Sequence, residues 1–433
     1  MPNAVAHSGL PARAAAQAIL AQVLGRRRPL DSALEALING SVLDARDAGF
    51  ARAIAVETLR RLGQLQATVN HFVPKTPPQH RAGPTLEILL AGACELLFLK
   101  VPPHAAVDAA NELAAADAKA VHFRPLINAV MRRIAREGEA VIAEQDVPRL
   151  NTPDWLWSRW CDIYGEATAR TIAQAHLKPP PTDIVSKSSV ADFPGGILLP
   201  GGVLRIRETG RIENLPGYGE GNWWVQDFAA TLPVRLLGDV SGRAVIDLCA
   251  APGGKTAQLA ASGARVIAVE RDPQRMDRLR ENLSRLRLDA QLMLADVRDF
   301  RPEKPAPFVL LDAPCSATGT IRRHPDLPWN KSAADVGLCA DGAGELLDSA
   351  ACMVAEGGLL CFAVCSLEPE EGQDQAASFL ANHPEFKLEP IAAEDVFGMT
   401  ELVSGGALRT LPCHLADQGG MDGFYTARLR RSG

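Results

Sequence analysis

The sequence has 433 residues, which is too long for one ordinary hydrophobic core and predicts two or three domains. Its 47% hydrophobic and 22% charged residues are typical of a globular protein, and no segment is long and apolar enough to span a bilayer. The formal net charge of −6 excludes a surface that is basic throughout, although one local basic patch would suffice for a nucleic-acid site.

The front of the chain, residues 1–136, is predicted to form an all-helical domain. Apolar side chains recur there at spacings of three and four, as on one face of an amphipathic helix. An example of this stripe is Phe123, Leu126, Ile127, Val130, Met131 and Ile134. Arg132, Arg133 and Arg136 fall largely off the stripe, so we expect them at the surface.

Positive charge is concentrated in this front part. Residues 1–135 contain fifteen Lys and Arg against ten Asp and Glu, a net charge of +5, which leaves −11 for the rest of the chain. Lysine and arginine neutralise phosphates when a protein binds nucleic acid. The front is therefore the predicted electrostatic anchor, although an ordinary solvated surface would account for the same imbalance.

A small intermediate segment, residues 137–232, is predicted next as an α+β domain. It contains a tryptophan-rich stretch with Trp155, Trp157 and Trp160. The three consecutive prolines at 179–181 cannot continue a helix, so they indicate a rigid joint.

The last part of the chain, residues 233–433, is predicted to be an α/β, Rossmann-like domain. Short apolar runs alternate there with helical stretches such as 273–287, which indicates a doubly wound parallel sheet. The strand candidates are 244–250, 265–270, 290–296, 307–314 and 359–366. Ligands bind to such sheets beyond the carboxyl ends of the strands, so we expect the functional site there.

A glycine-containing turn follows the first of these strands. Gly253 and Gly254 allow a tight turn and close approach of a ligand to the start of a helix. The pattern is neither a Walker P-loop nor GxGxxG, and a structural strand–helix connection would explain it equally well. Glu270 ends the second strand, where nucleotide-binding folds place a carboxylate for ribose hydroxyls, and this favours a cofactor with a ribose.

The nine cysteines form neither a disulfide framework nor a CxxC metal pattern, which predicts a reducing cytoplasm and no metal site. Cys352 and Cys361 lie in apolar stretches and are predicted to be core residues. Cys315 and Cys365 instead follow neighbouring strands, and each precedes a serine. We expect these two at a ligand crevice.

Three strings in the last part resemble the Nop/Sun superfamily of RNA cytosine-5 methyltransferases. They are DLCAAPGGKT at 247–256, DAPCSATGTIRRHPDLPW at 312–329 and VCSLEPEEG at 364–372. The helical front, with PHAAV at 103–107 and INAVMRR at 127–133, resembles the antitermination factor NusB. A NusB-like domain joined to this catalytic domain is the arrangement of the RsmB (Sun) family, which methylates a cytosine of small-subunit ribosomal RNA. NWWVQD at 222–227 and GMDGF at 420–424 also match that family.

The resemblance implies a cofactor, a substrate and a mechanism. S-adenosylmethionine would donate the methyl group, and 16S (small-subunit) ribosomal RNA would receive it on carbon 5 of a cytosine. Cys365 would add to carbon 6 as the nucleophile, and Cys315 would assist release of the adduct. Asp312 would hydrogen-bond the base as the thiolate attacks. The implied cofactor contacts are Cys249, Ala250, Ala251, Pro252, Gly253, Gly254, Lys255, Glu270, Asp296 and Asp312.

Two positions depart from the family's pattern. Val364 stands where threonine usually precedes the nucleophile. Gly342 and Ala343 replace a usual Leu-Gln pair. Neither change touches the two cysteines.

Two other functions remain open in the sequence. The catalytic motifs do not encode the substrate, so transfer RNA is an alternative, although the NusB-like front favours ribosomal RNA. A non-catalytic RNA-binding scaffold, for which NusB is the precedent, is a second alternative, disfavoured because both cysteines and the glycine turn are retained.

Overall fold

The computed structural model describes residues 9–40, 43–73, 75, 77–187, 195–207 and 210–433. The chain divides into two units. The helical unit comprises Met1–Leu177 together with His324–Ser332, and the sheet unit comprises Lys178–Arg323 and Ala333–Gly433. Within the described residues, helices that combine the length and the apolar character needed to cross a membrane are absent.

The helical unit begins with a succession of helices, as the apolar periodicity of the front predicts. Their bounds are α1 (Leu10–Arg26), α2 (Leu30–Gly40), α3 (Ala45–Arg60), α4 (Leu62–Phe72), α5 (Gln79–Ala82), α6 (Thr85–Leu97), α7 (Pro103–Ala116), α8 (Arg124–Ala143), α9 (Val147–Leu150), α10 (Asp154–Tyr164) and α11 (Glu166–His176). Pro77 and Pro78 directly precede α5, and Pro102 directly precedes α7, whose first residue is Pro103.

Helix α6 lies in the centre of the helical unit. All of its residues except Leu86 are buried, because the helix is apolar on every side. A buried carboxylate needs a partner, and Glu95 finds one in Arg13 of α1 at 2.6 Å. Burial raises the pKa of Glu95, and the Arg13 guanidinium opposes that shift.

Helix α8 orients the predicted apolar stripe inward. Ile127, Val130 and Ile134 are at most 3% exposed, and they belong to the same apolar cluster as α4, α6 and α7. Arg132 and Arg136 are exposed, as expected from their position off the stripe.

The predicted intermediate segment is divided between the two units. Helices α9 to α11 belong to the helical unit, where Trp160 is fully buried. The sheet unit opens with β1 (Thr182–Ser186), β2 (Ile197–Leu198), β3 (Leu204–Ile206) and β4 (Trp223–Val225). These strands pair antiparallel in the order β2-β3-β1-β4 among the described residues. The three prolines at 179–181 thus stand just after the point where the units divide.

A large mixed sheet forms the core of the sheet unit. Its strands are β5 (Ala244–Leu248), β6 (Arg265–Glu270), β7 (Gln291–Leu294), β8 (Ala306–Asp312), β9 (Val354–Val364), β10 (Phe386–Leu388), β11 (Val403–Ser404), β12 (Ala407–Thr410) and β13 (Phe424–Arg431). The order is β11-β12-β13-β9-β8-β5-β6-β7, with β10 paired to β13. Strands β5 to β9 pair in parallel and correspond to the five predicted strands. The α/β, Rossmann-like fold expected for this part is therefore present.

Helices cover both faces of this sheet. They are α12 (Phe228–Arg235), α13 (Gly254–Ala261), α14 (Pro273–Leu286), α16 (Ala333–Ala351) and α17 (Gln373–Asn382), whereas α15 (Leu327–Asn330) is part of the helical unit. Successive strand residues alternate between the faces: Val245 packs with α12 to α14, and Ile246 packs with α16 and α17. The unusual Gly342 lies inside α16, which begins nine residues earlier at Ala333.

A short segment from the second half of the chain completes the helical unit. The segment His324–Ser332 leaves the sheet unit after Arg323 and packs among the first helices. Trp329 touches two apolar clusters there, and its Nε1 donates to the Leu59 carbonyl oxygen at 3.0 Å. Asp326 accepts from the Leu30 backbone N–H at 3.0 Å. The helical unit is therefore built from two separate stretches of sequence.

We expect Trp329→Ala to weaken the helical unit selectively. The substitution removes apolar contacts to two clusters and one hydrogen bond, so the free energy of opening α1 and α3 should fall by about 2–3 kcal/mol. Hydrogen exchange of the α1 and α3 amides, followed by mass spectrometry, measures it. Trp157→Ala, a half-buried tryptophan on α10, is the control. Equal protection of α3 in both variants would contradict the assigned role of Trp329.

Candidate active site

The turn after β5 is shaped by glycine. Gly253 has φ +105, and a Cβ there would come within 2.5 Å of the Leu279 side chain, so only glycine fits. Cys249 also has a positive φ of 60. The turn leads directly into α13 at Gly254, so backbone N–H groups at the start of a helix border the space beyond the strand end.

A cavity of about 540 Å³ opens at the carboxyl ends of the parallel strands. All predicted turn residues, 249–255, line it, and so does Asp312. Gln226 and Asp227, from the string before α12, line the same cavity. This location is the one expected for a ligand site in a doubly wound sheet.

Glu270 and Asp296 lie at a second, smaller cavity of about 70 Å³. Cys249 lines both cavities, so the two adjoin at this residue. The structure thus brings the predicted cofactor residues to one edge of the sheet but distributes them over two adjoining pockets.

Glu270 is buried, and only one of its two carboxylate oxygens accepts hydrogen bonds among the described residues. Oε1 accepts from the backbone N–H groups of Arg271 at 2.9 Å and Asp272 at 3.0 Å. Among the described residues, Oε2 receives no hydrogen bond, and its ion-pair partner Arg275 stays at 3.6 Å. A buried carboxylate oxygen without a donor can accept a hydroxyl from a ligand.

The Asp296 carboxylate is paired with the side chain of Arg298. Its carboxylate accepts from Arg298 at 2.9 Å through Nε and at 2.8 Å through Nη2, in a two-point pairing. These hydrogen bonds with Arg298 lower the pKa of Asp296 to about 2. This pairing was not predicted from the sequence, because Asp296 was considered there only as a cofactor contact.

Lys255 and Asp312 form an ion pair across the large cavity. The Lys255 Nζ lies 2.7 Å from Asp312 Oδ2 and 5.3 Å from the centre of the Phe424 ring. Burial disfavours the Lys255 charge, but the Asp312 carboxylate and then Cys365 raise the pKa of this ammonium group above its ordinary value.

Cys315 and Cys365 contact each other just beyond the ends of two neighbouring strands. Strands β8 and β9 pair in parallel with Asp312 opposite Ala363, so the residues that follow each strand come together. The two Sγ atoms lie 3.4 Å apart, and both side chains are partly buried. The hydrogen bond with Cys365, followed by burial, raises the pKa of the Cys315 thiol well above its ordinary value.

A further aspartate, Asp247 near the end of β5, has a pKa that is raised by burial. Asp247 is fully buried, and burial raises its pKa to about 7. Thr256 donates to its Oδ2 at 2.6 Å, while Oδ1 receives no hydrogen bond within the described residues. Asp247 lines the large cavity, so this oxygen is a second acceptor available to a ligand.

A buried cluster of arginines and aspartates was missed by the sequence reasoning. Arg322 is 1% exposed and bridges Asp227 at 2.5 Å and Asp422 at 2.7 Å. Arg323 binds the same two carboxylates at 2.6 and 2.9 Å and lines the large cavity. Burial opposes ionisation of Asp227, but Arg322 and then Arg323 hold its pKa below the ordinary range. The only indication of this cluster in the sequence was that all four of its residues lie in strings that match the family.

The prediction of two structural cysteines is half correct. Cys361 is fully buried, and its Sγ donates to the Pro233 carbonyl oxygen at 3.3 Å. Cys352 is exposed, so the prediction that it belongs to the core is wrong. The apolar run around it was misleading because the chain turns there, between α16 and β9.

Comparison with known proteins separates the chain into the same two parts that the motifs indicate. Residues 234–430 match the model of the 16S rRNA methyltransferase RsmB/F family, and residues 10–136 match the NusB family. The solved structure of PH0851 superposes with a TM-score of 0.76 over 97% of this chain and 99% of that one, at 24% identity. That likeness shows that the fold is shared.

Curated relatives align along nearly the entire chain. The ribosomal RNA small subunit methyltransferase B of Pseudomonas putida is 36% identical, with 96% of this chain and 98% of that protein covered. The protein of the same name from Pasteurella multocida is 31% identical, with 98% and 96% covered. These matches confirm the predicted NusB-like front and Rossmann-like methyltransferase domain. The chain therefore belongs to the RsmB family of small-subunit ribosomal RNA methyltransferases.

Proposed function

We propose that this protein methylates carbon 5 of a cytosine in 16S ribosomal RNA, with Cys365 as covalent nucleophile. The observation that carries the proposal is the pair of thiols 3.4 Å apart at the ends of β8 and β9. Cys365 lies close enough to Lys255 to raise its pKa, and Lys255 pairs with Asp312 at the large cavity. A second thiol within contact distance supplies the separate group that release of an adduct requires.

S-adenosylmethionine is the cofactor of this family. The residues present fit it, because Glu270 offers a buried oxygen without a donor and the glycine turn opens onto backbone N–H groups. The turn residues Cys249 to Lys255 would hold the reactive end, and Asp296 would lie at the adenine edge as the family resemblance implies. When bound, the cofactor supplies an electrophilic methyl group on a positively charged sulfur.

Cys365 acts on the base first. Its thiolate Sγ forms a bond to carbon 6, which moves electron density to carbon 5 so that this carbon can take a methyl group. Asp312, held by Lys255, hydrogen-bonds the base and favours protonation of its ring nitrogen as the thiolate attacks. After methylation, carbon 5 loses its proton to a proton acceptor. The double bond between carbons 5 and 6 then re-forms as Sγ leaves carbon 6. Cys315 assists this release.

The helical unit supplies the grip on ribosomal RNA. Arg132 and Arg136 stand exposed on one helix, α8. Arg133 stacks over Phe72 at 4.6 Å and pairs with Glu137, so it also supports the surface around them. A small-subunit ribosomal RNA substrate, and a mechanism that needs reduced cysteines, support a cytoplasmic location for this protein.

Exchanging the two thiols for alanine should give opposite results. Cys365→Ala removes the attacking sulfur, so methylation and adduct formation should both be lost, by at least about 1000-fold. Cys315→Ala keeps the attack and slows release, so a denaturant-resistant protein–RNA complex should accumulate. Gel analysis of the complex and bisulfite mapping of 16S ribosomal RNA measure the two effects. Cys352→Ala is the control, because this thiol is exposed away from the site. Trapped complex in Cys365→Ala would reverse the two roles.

Glu270→Gln should weaken binding of S-adenosylmethionine. The amide replaces a charged acceptor for ribose hydroxyls with a neutral one, so binding should lose about 1–3 kcal/mol while RNA affinity stays the same. Titration calorimetry measures the cofactor affinity. Glu281→Gln, an exposed glutamate on α14, is the matched control. Wild-type affinity in Glu270→Gln would show that this carboxylate serves only to bind the backbone of Arg271 and Asp272.

Neutralising two arginines of α8 should flatten the salt dependence of RNA binding. For each phosphate that Arg132→Ala or Arg136→Ala leaves without its cation, the slope of log affinity against log salt should fall by about 0.7–0.9. Binding of S-adenosylmethionine should not change. Arg46→Ala, an exposed arginine on α3, controls for net charge. An unchanged slope in the double variant would remove α8 from the RNA surface.

A further inference from the structure

A buried glutamate connects the two cysteine loops. Glu371 ends a 3-10 turn that directly precedes α17, and its side chain is fully buried. Oε1 accepts from the backbone N–H of Ser316 at 2.7 Å, and Oε2 accepts from the Ser316 hydroxyl at 2.6 Å. The Ser366 hydroxyl donates to the same Oε2. One carboxylate therefore binds the residue after each cysteine.

The connection continues through the surrounding polar groups. The Glu368 backbone N–H donates to the Ser366 hydroxyl at 3.0 Å, and the Leu367 N–H donates to the Thr318 hydroxyl at 3.0 Å. The Gly319 N–H donates to the Cys365 carbonyl oxygen at 3.1 Å. The loops after β8 and β9 are thus joined by hydrogen bonds in addition to the strand ladder.

Burying the Glu371 carboxylate would be unfavourable if the side chain served only to fill space in the core. A carboxylate removed from water loses several kcal/mol unless hydrogen bonds replace its solvation. Burial raises the pKa of Glu371, and nearby Glu368 adds to that shift, while the hydrogen bonds from Ser316 and Ser366 oppose it. Both oxygens face N–H and O–H donors, which is the environment of an ionised carboxylate.

We propose that Glu371 is the positioning residue of the cysteine pair, which sets the separation of Cys315 and Cys365 and places a negative charge next to Cys315. Glu371 is fully buried and lies outside the lining of the large cavity, so it acts through Ser316 and Ser366. The proposed function gives the two sulfurs different roles, attack by Cys365 and assistance of release by Cys315, and two equivalent thiols would not provide that difference. This inference rests on the proposed function, whose two thiol roles it explains.

Charge around the pair is asymmetric. Glu371 acts on Cys315 and contributes to its raised pKa, after the larger effects of the Cys365 hydrogen bond and of burial. Cys365 instead lies close enough to the Lys255 ammonium group, on α13, to raise the pKa of that lysine. Asp312 and Glu368 act in turn on Lys255 and Glu371. A negative charge on one side and a positive charge on the other distinguish the two sulfurs.

Alkylation of the free enzyme tests this asymmetry without RNA. Iodoacetamide labelling at a series of pH values, read for each cysteine by mass spectrometry, gives a midpoint for Cys315 and for Cys365. In Glu371→Gln the Cys315 midpoint should move to lower pH by at least about half a unit, because a negative charge is removed beside it. The Cys365 midpoint should move less. A protein that is merely destabilised would label faster at both thiols with no shift of midpoint.

Kinetics test the positioning. In Glu371→Gln, kcat should fall about 10- to 100-fold while KM for S-adenosylmethionine and for RNA changes less than twofold. Glu371→Asp keeps the charge but shortens the reach, so kcat should fall with the Cys315 midpoint unchanged. This variant also serves if Glu371→Gln does not fold. Glu370→Gln, one residue earlier on the same turn, is the matched control.

The outcomes separate this inference from the proposed function. An unmoved Cys315 midpoint together with wild-type kcat in Glu371→Gln overturns the positioning role. A shifted midpoint in Glu371→Gln, combined with a wild-type protein that methylates no RNA, supports the positioning role and overturns the proposed function. A shifted midpoint with reduced kcat supports both.

Discussion

The parallel register of β8 and β9 brings the two thiols to the same edge of the sheet, and the rest of the site depends on it. Asp312 lies opposite Ala363, so the chain leaves both strands at the same level. A slip of one residue would turn every side chain of a strand to the other face and separate the sulfurs. The buried carboxylate of Glu371 secures the loops at this point, where the ladder of backbone hydrogen bonds has already ended.

Three of the strings that match the family converge in one ion cluster. Asp227 comes from the string before α12, Arg322 and Arg323 follow the Cys315 loop, and Asp422 precedes β13. Two carboxylates and two guanidinium groups offset one another there, whereas removal of a single partner would leave a buried charge unpaired. The cluster therefore holds three distant stretches of sequence against the cavity wall.

Much of this arrangement could be predicted, because it rests on local patterns. Apolar runs and helical periodicity were enough for β5 to β9 and for the inward face of α8, and the family strings located both cysteines. Features that depend on side-chain conformation, on where a helix ends or on contacts between distant residues could not be predicted. The pairing of Asp296 with Arg298 depends on a rotamer, and the exposure of Cys352 depends on where a helix stops. The shared carboxylate of Glu371 depends on two loops meeting in space.

The segment His324–Ser332 has a consequence for the order in which the protein can be completed during translation. The helices up to Leu177 emerge from the ribosome first, yet the segment that carries Trp329 is made roughly 150 residues later. At about 5–20 residues per second, the helices wait on the order of 10–30 s for their last piece. That piece follows the Cys315 loop directly, so the first half of the protein is completed only after much of the catalytic half has been synthesised.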